Sequence, residues 1–300
     1  MRECDGMAGH GWLTEQFELN RDHLRAVAYR MLGSLAEADD AVQETWLRLN
    51  RTETGGVENL AGWLTTVVAR VCLDMLRSGK SRGEELLDEH LPDSAVGHQN
   101  GMNPEHEALL AESVGLALLV VMERLAPAER LAFVLHDMFA VPFEEIAAMV
   151  GRSPAAARQL ASRARRRVQG APIASDAGLS QQRKVVEAFL SGLRTGDFYA
   201  ILAVLDPDVV RRADYAAVPT VAERESRGAE MVTKEALTHI ARARFAQLAL
   251  VNGSVGIIVA PRGKLFMVLR CKVMAGKIVE FEVIADPAHL SQLDLAIFPD

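Results

Sequence analysis

The sequence predicts a multidomain protein: two all-α modules followed by an α+β domain. Three observations carry that prediction. Apolar residues fall at helical spacing in successive segments between residues 17 and 169. Charge divides the same stretch into zones of opposite sign. Beyond residue 180 the pattern turns to helices and then to strands separated by the turn phrases NGS, PRGK and AGK.

Length and composition set the limits. Three hundred residues are enough for two or three domains, each with its own core. Apolar residues make up 49% and charged residues 24%, the balance of a globular protein. Cys4, Cys72 and Cys271 are far apart and form no CxxC. Reduced, mostly buried thiols are expected, with no disulfide framework and no metal site. The opening MRECDGMAGHGW lacks the apolar core of a signal peptide, and the apolar run VGLALLVVM stops at Glu123, short of a membrane span. A cytoplasmic location is expected, with no membrane partner and no cofactor.

The formal net charge is −7. Residues 84–123 hold nine acids and no Lys or Arg, whereas GRSPAAARQLASRARRR (151–167) holds six arginines and no acid. A local basic patch binds polyanions even on an acidic protein. The acidic stretch 83–107 and the small, polar GAPIASDAGLS (170–180) read as connectors. The expected organisation is a module at 10–82, an acidic linker at 83–107, a module at 108–169, a linker at 170–180, a domain at 181–293 and a tail at 294–300.

In VPFEEIAAMV, Pro142 suits a first helical position, and Phe143, Ile146, Ala147 and Val150 share one face. Gly151 is a helix stop, and Ser153-Pro154 signals the next start. The following helix buries Ala157, Leu160, Ala161, Ala164 and Val168, and exposes Arg158, Gln159, Ser162, Arg163 and Arg166. Two helices joined by about three residues around a Gly form the helix-turn-helix pattern. Arg and Gln pair with base edges in the major groove, and further arginines neutralise phosphates. None of the six arginines has an acid at i±4, so none is expected to form an intrahelical pair.

The phrases "L-PAER--F-L" and "EEIA---G-S-----Q---RAR" resemble region 4 of bacterial sigma factors. The resemblance implies binding of the minus-35 promoter element through Arg152, Ser153, Arg158, Gln159, Ser162, Arg163 and Arg166. Upstream, Leu24, Val27, Ala28, Met31 and Leu32 form one helical stripe, and Ala38, Val42, Thr45, Trp46 and Leu49 form another. LGSLAEADDAVQETWLRL is similar to sigma region 2.1–2.2, which implies docking on core RNA polymerase through Asp39, Asp40, Gln43, Glu44 and Leu47. "WL---VAR---D-LR" resembles regions 2.3 and 2.4, which open the minus-10 element. That frame implies Trp63, Thr66, Arg70, Asp74 and Arg77 on or near the DNA side, with the loop RTETGGVEN (51–59) as the pocket for an extruded base. For Trp63, packing in the core beside Leu64, Val67, Val68 and Val71 is the competing role. Two modules without the longer sigma segments are similar to extracytoplasmic-function sigma factors, the resemblance covering about residues 14–169.

In the last part, QQRKVVEAFLSGLRTGDFYAILAVLDPDVVRRAD reads as helix, Gly-Asp turn, helix and strand. GAEMVTKEALTHIARARF reads as one more helix, and the remainder as an antiparallel run of strands. "GDF--IL-VLDPDVV" and "G-I-EF-VI-DP--L" resemble the SnoaL-like cone fold, which a subgroup of these sigma factors carries as a C-terminal extension. Where related members have a glycine-rich Asp motif, this chain has DYAAVP, and DPAHL (286–290) stands where they have Asn-Pro-Asp-Lys-Leu. The resemblance implies a domain that modulates the sigma modules in place of a separate anti-sigma protein. A small ligand in the cone is compatible with it, and the sequence identifies none. Asp214, Tyr215, His239 and His289 do not converge as an acid–base pair, and Glu280 and Glu282 share one face of the last long strand, opposite Val279, Phe281 and Val283. No catalytic residue is therefore expected. The expected function is promoter recognition and transcription initiation with core RNA polymerase. The alternatives are a stand-alone helix-turn-helix regulator with a ligand-sensing domain, or a SnoaL-like enzyme.

Overall fold

Several helix boundaries have a local cause. In the computed structural model, which describes residues 3–52, 59–82, 115–170 and 176–298, helix α1 (Glu3–Leu32) ends at Gly33, whose φ of 79° leaves the helical region. Ser34 then caps α2 (Leu35–Arg51) by accepting from the Glu37 N–H. Helix α3 (Leu60–Arg82) completes an N-terminal bundle whose buried residues include Phe17, Leu24, Val27, Met31, Leu35, Leu49 and Leu64. The expected stripes of α1 and α2 face this core, except that Leu32 and Trp46 are half-buried, Trp46 lying 4.9 Å from the Phe17 ring.

Helices α4 (Leu116–Glu123), α5 (Pro127–Phe133), α6 (Phe143–Val150) and α7 (Pro154–Gln169) follow. Between α5 and α6 the chain makes one π-helical turn, Val134–Met138. The His136 ring nitrogen Nδ1 lies 3.1 Å from the Val141 carbonyl, and the His136 ring stacks on Phe143 at 3.8 Å. Pro142 is the N-cap residue rather than the first helical residue, so α6 begins one residue later than expected.

The chain divides into two units. The first comprises residues 1–110 and 125–165, the second residues 111–124 and 166–300. Within the first, α3 packs against α5 and α6, and α1 against the π turn. Arg130, buried on α5, donates to the Met31 carbonyl at 2.8 Å, one of the orphan acceptors at the end of α1. His23 meets Phe139 edge-on at 5.3 Å, and the Arg30 guanidinium lies 5.2 Å from the same ring.

The second unit is α+β, as expected. Helix α8 (Asp176–Thr195) turns at Gly196, Asp197 caps α9 (Phe198–Val204), and β1 (Leu205–Ala213) follows. Strand β2 (Glu225–Arg227) and helix α10 (Ala229–Thr238) come next. The stretch expected as one helix breaks at His239, whose φ of −104° and ψ of 16° are not helical, and resumes as α11 (Ile240–Ala243). Strands β3 (Ala246–Val251), β4 (Ser254–Val259), β5 (Met267–Met274) and β6 (Lys277–Ile284) form the meander; α12 (Pro287–Gln292) and β7 (Leu295–Ala296) close the chain. The sheet order is β2-β1-β6-β5-β4-β3-β7, with β1 parallel to β6 and the other pairs antiparallel. Asn252 and Gly253 both have positive φ, 49° and 77°, as a two-residue hairpin of the right twist requires.

Helix α4 belongs to this second unit. Five of its eight residues, Ala117, Leu119, Val120, Val121 and Met122, are buried, and it packs on β3 and β7. Gln247 Oε1 on β3 accepts from the Ala117 N–H at 2.7 Å, and Arg124 donates to the Leu290 and Leu293 carbonyls. At the end of α7, Val168 O accepts from Ile297 N at 2.9 Å.

Asp214, at the end of β1, fastens the loop that follows. Its carboxylate accepts from Ala217 N, Ala285 N and Asp286 N, each at 2.8 Å. Hydrogen bonds to a charged acceptor contribute about 1.5–3 kcal/mol each. Asp214→Ala is expected to destabilise the second unit by about 2–3 kcal/mol overall, read as a lower urea midpoint; an unchanged midpoint would show the three bonds to be dispensable. Burial pushes the thiols of Cys72 and Cys271 up to about 12. At pH 8 both are therefore neutral, and neither reacts with maleimide in the folded chain although both do in urea. Modification of either in native buffer would contradict that burial.

Candidate nucleic-acid and polymerase interface

Helix α7 separates a buried from an exposed face by its own periodicity. Gly151 takes the left-handed conformation at φ 67°, Arg152 N donates to Ala147 O at 3.0 Å, and the chain reverses into α7. Ser153 Oγ accepts from Ala156 N at 3.3 Å, so this side chain caps the helix. Ala157, Leu160, Ala161, Ala164 and Val168 are all buried, as the spacing predicts. Arg152, Ser153, Arg158, Gln159, Ser162, Arg163 and Arg166 are all exposed.

The arginines have partners that the sequence pattern did not reveal. Arg158 lies 3.2 Å from Glu144 of α6 and over the Phe143 ring at 5.6 Å. Arg163 lies 3.5 Å from Glu129 of α5, and Arg165 Nε donates to Asp137 of the π turn at 3.0 Å. The absence of acids at i±4 is correct, but the folded chain supplies acids from neighbouring helices. The Arg158–Glu144 pair is exposed at both ends and contributes about 0–1 kcal/mol. Glu129 is buried and Asp137 mostly so, and the pairs they make with Arg163 and Arg165 hold those arginines more firmly.

The residues expected to dock on core polymerase lie on one stretch of α2. Asp39, Asp40 and Gln43 are exposed, Glu44 is half-buried, and the apolar Leu47 is 41% exposed among them. Asp39 accepts two bonds from Arg25, at 2.7 and 3.1 Å, and Glu44 accepts from Arg48 at 2.9 Å. On α3, Arg70, Asp74 and Arg77 are exposed, while Trp63 and Thr66 are half-buried. Trp63 is thus neither a core residue nor a free wedge. Thr66 Oγ1 bonds back to Gly62 O, and Arg70 donates to Ala148 O at the end of α6, at 3.3 Å. Residues 53–58 of the loop expected to hold a base, and the acidic linker 83–107, lie outside the described residues.

Of the groups considered for catalysis, His239 lines a cavity of the second unit together with Glu235 and Arg211, and the others are engaged elsewhere. Asp214 is occupied by three backbone N–H groups, and Tyr215 is 67% exposed with Arg224 over its ring at 5.0 Å. His289 is exposed beside Asp286. Glu280 and Glu282 pair with Arg212 and Arg270, on the strand face opposite Phe281 and Val283. Among the described residues no group of three or more His, Cys, Asp or Glu is placed to hold a metal, and no helix is long and apolar enough to cross a membrane.

Residues 16–82 match the family Sigma-70 region 2, and residues 115–168 match Sigma-70, region 4. The chain is 41% identical over 252 residues to the ECF RNA polymerase sigma factor SigJ of Mycobacterium tuberculosis, spanning 82% of this chain and 80% of that one. It is 34% identical over 291 residues to the probable ECF RNA polymerase sigma factor SigI of the same species, spanning 96% and 98%. Among solved structures, the crystal structure of M. tuberculosis SigJ matches at 34% identity over 93% of this chain and 98% of that one, with a TM-score of 0.43. Two sigma modules in order, joined to an α+β domain and matched along nearly the whole length, identify the chain as a member of the extracytoplasmic-function RNA polymerase sigma factors, non-catalytic proteins that work with RNA polymerase on promoter DNA to initiate transcription.

Proposed function

We propose that α7 reads the minus-35 element through Arg158, Gln159, Ser162, Arg163 and Arg166, with Arg152 and Ser153 at the turn touching the backbone. The observation that carries this reading is the division of α7 into a wholly buried apolar stripe and a wholly exposed stripe of arginine, glutamine and serine. In the same reading, Asp39, Asp40, Gln43, Glu44 and Leu47 dock on core polymerase. Trp63, Thr66, Arg70, Asp74 and Arg77 engage the minus-10 element in the cytoplasm. The domain limits given above, 10–82, 108–169 and 181–293, belong to this proposal.

The C-terminal domain modulates these activities in place of an anti-sigma factor. Support comes from α4, which lies within the region 4 match yet is built into the sheet of the second unit. The Ile297 bond to Val168 gives that unit a second hold on the same region. A version ending at Gly170 would strip the apolar side of α4 of its cover, so point variants of the full chain make the cleaner test.

The test is run-off transcription with purified core polymerase on the DNA upstream of the protein's own gene. Gln159→Ala and Arg166→Ala are each expected to weaken promoter binding by about 1–3 kcal/mol, a factor of roughly five to a hundred and fifty, with Arg166→Ala also lowering the salt slope by about one. Arg163→Ala is less clean, because it also removes a partner of Glu129. Transcripts unaffected by both substitutions would remove α7 from the promoter contact. Separately, Asp40→Lys is expected to abolish co-purification with core polymerase while leaving the circular dichroism of the chain intact. Undiminished co-purification would clear this face of α2 of a docking role.

A further inference from the structure

The curved sheet and the helices α8, α10 and α11 enclose a cavity of about 410 Å³. That volume lies within the range of small-molecule sites, about 300–1,000 Å³. Its walls are mostly apolar and include Phe189, Leu193, Val232, Ile257, Leu269 and Phe281. Phe189 and Phe281 stand 4.8 Å apart and tilted at 43°, so the two rings present faces and edges to the same space.

One end of the cavity is polar. Arg211, from β1, lines it, and only 15% of this side chain is exposed. Its Nε donates to Glu235 at 2.9 Å and to Ser226 Oγ at 3.0 Å, and its Nη2 donates to the Glu223 carbonyl at 2.6 Å. Ser226 Oγ donates in turn to Glu235 at 2.7 Å. These bonds orient the guanidinium and leave Nη1 with donors to offer, since a guanidinium carries five N–H groups. Glu235 already balances the charge of Arg211, and Arg242 and Glu223 add one further charge of each sign to the lining. The lining also holds His239. Apart from that imidazole its two cations and two anions balance, which gives a charged ligand no net charge to offset its desolvation.

We propose that this cavity is a binding site for an uncharged, predominantly apolar small molecule with a carbonyl-type acceptor at one end. The apolar body lies against Phe189, Leu269 and Phe281, and the acceptor takes a hydrogen bond from Arg211. The loop after β1, fastened by Asp214, supplies Ala217 and Val218 as one wall. The inference rests on reading 181–293 as the modulating domain only for its consequence in transcription; binding itself stands apart from that reading.

The experiment uses the full chain without polymerase or DNA, so its failure is distinct from a failure in transcription. Nile red, an uncharged apolar dye bearing a ring carbonyl, is titrated and its emission followed. The expected result is a saturable, blue-shifted enhancement at one dye per chain. Ala236→Trp and Ala217→Trp, which fill the cavity from α10 and from the loop, are each expected to raise the Kd tenfold or more. Circular dichroism and the melting temperature identify any variant that fails to fold, and either variant alone suffices. An absent enhancement, or one that both folded variants leave unchanged, overturns the site. Tighter binding of the anionic dye 1-anilinonaphthalene-8-sulfonate, lost in the same variants, overturns the uncharged class.

Discussion

A helix of eight residues with no charge before its last position cannot rest in water. The sequence LALLVVME of α4 presents apolar side chains on every side, and five of them are buried. Four of those five are Leu, Val, Val and Met, whose burial contributes about 6–12 kcal/mol as an upper estimate. That sum is comparable to the whole net stability of a typical domain. The strands β3 and β7 supply the cover, and the two hydrogen-bonding grips from Gln247 and Arg124 fix its position. The division of the chain follows: it enters the second unit for α4, leaves it for α5 to α7, and returns at residue 166.

The first unit shows how an acidic protein keeps a cationic surface in order. Arginines 158, 163 and 165 of α7 each meet an acid from an earlier segment, and Arg70 of α3 meets the end of α6. Each contact is weak where solvent reaches it. Together they fix rotamers of long side chains whose freedom would otherwise be lost only on binding. Side chains ordered in advance lose less freedom when a partner binds.

Much of this was legible from periodicity. The buried stripe of α7, the stop at Gly151, the Gly-Asp turn before α9 and the Asn-Gly hairpin each rest on interactions within a few residues, which a linear pattern records. The same holds for Glu280 and Glu282, placed on one strand face by alternation alone. Two local irregularities leave no mark in apolar spacing: the π turn, where His136 meets Val141 and Phe143, and the break at His239 in a stretch that reads as continuous helix. The rest was hidden because it depends on long-range partners. Arg211 and Arg212 are neighbours of identical type, yet alternation sends one to the cavity and the other to Glu225 and Glu280. The acids that meet α7 are plainly present in the sequence, but their distance from it is a property of the folded chain.

The place of α4 also orders events in time. The ribosome releases this helix long before β7, which follows roughly 170 residues later, and at about 5–20 residues per second the delay is on the order of ten seconds or more. For most of that interval α4 has neither of the strands that cover it in the finished chain, since β3 begins only at Ala246. Helices α1 to α3 can close on themselves as soon as they emerge, whereas the second module must wait for the carboxyl-terminal strands before its first helix is protected. The nascent chain therefore exposes an apolar helix for seconds, the kind of surface that makes folding intermediates prone to aggregate.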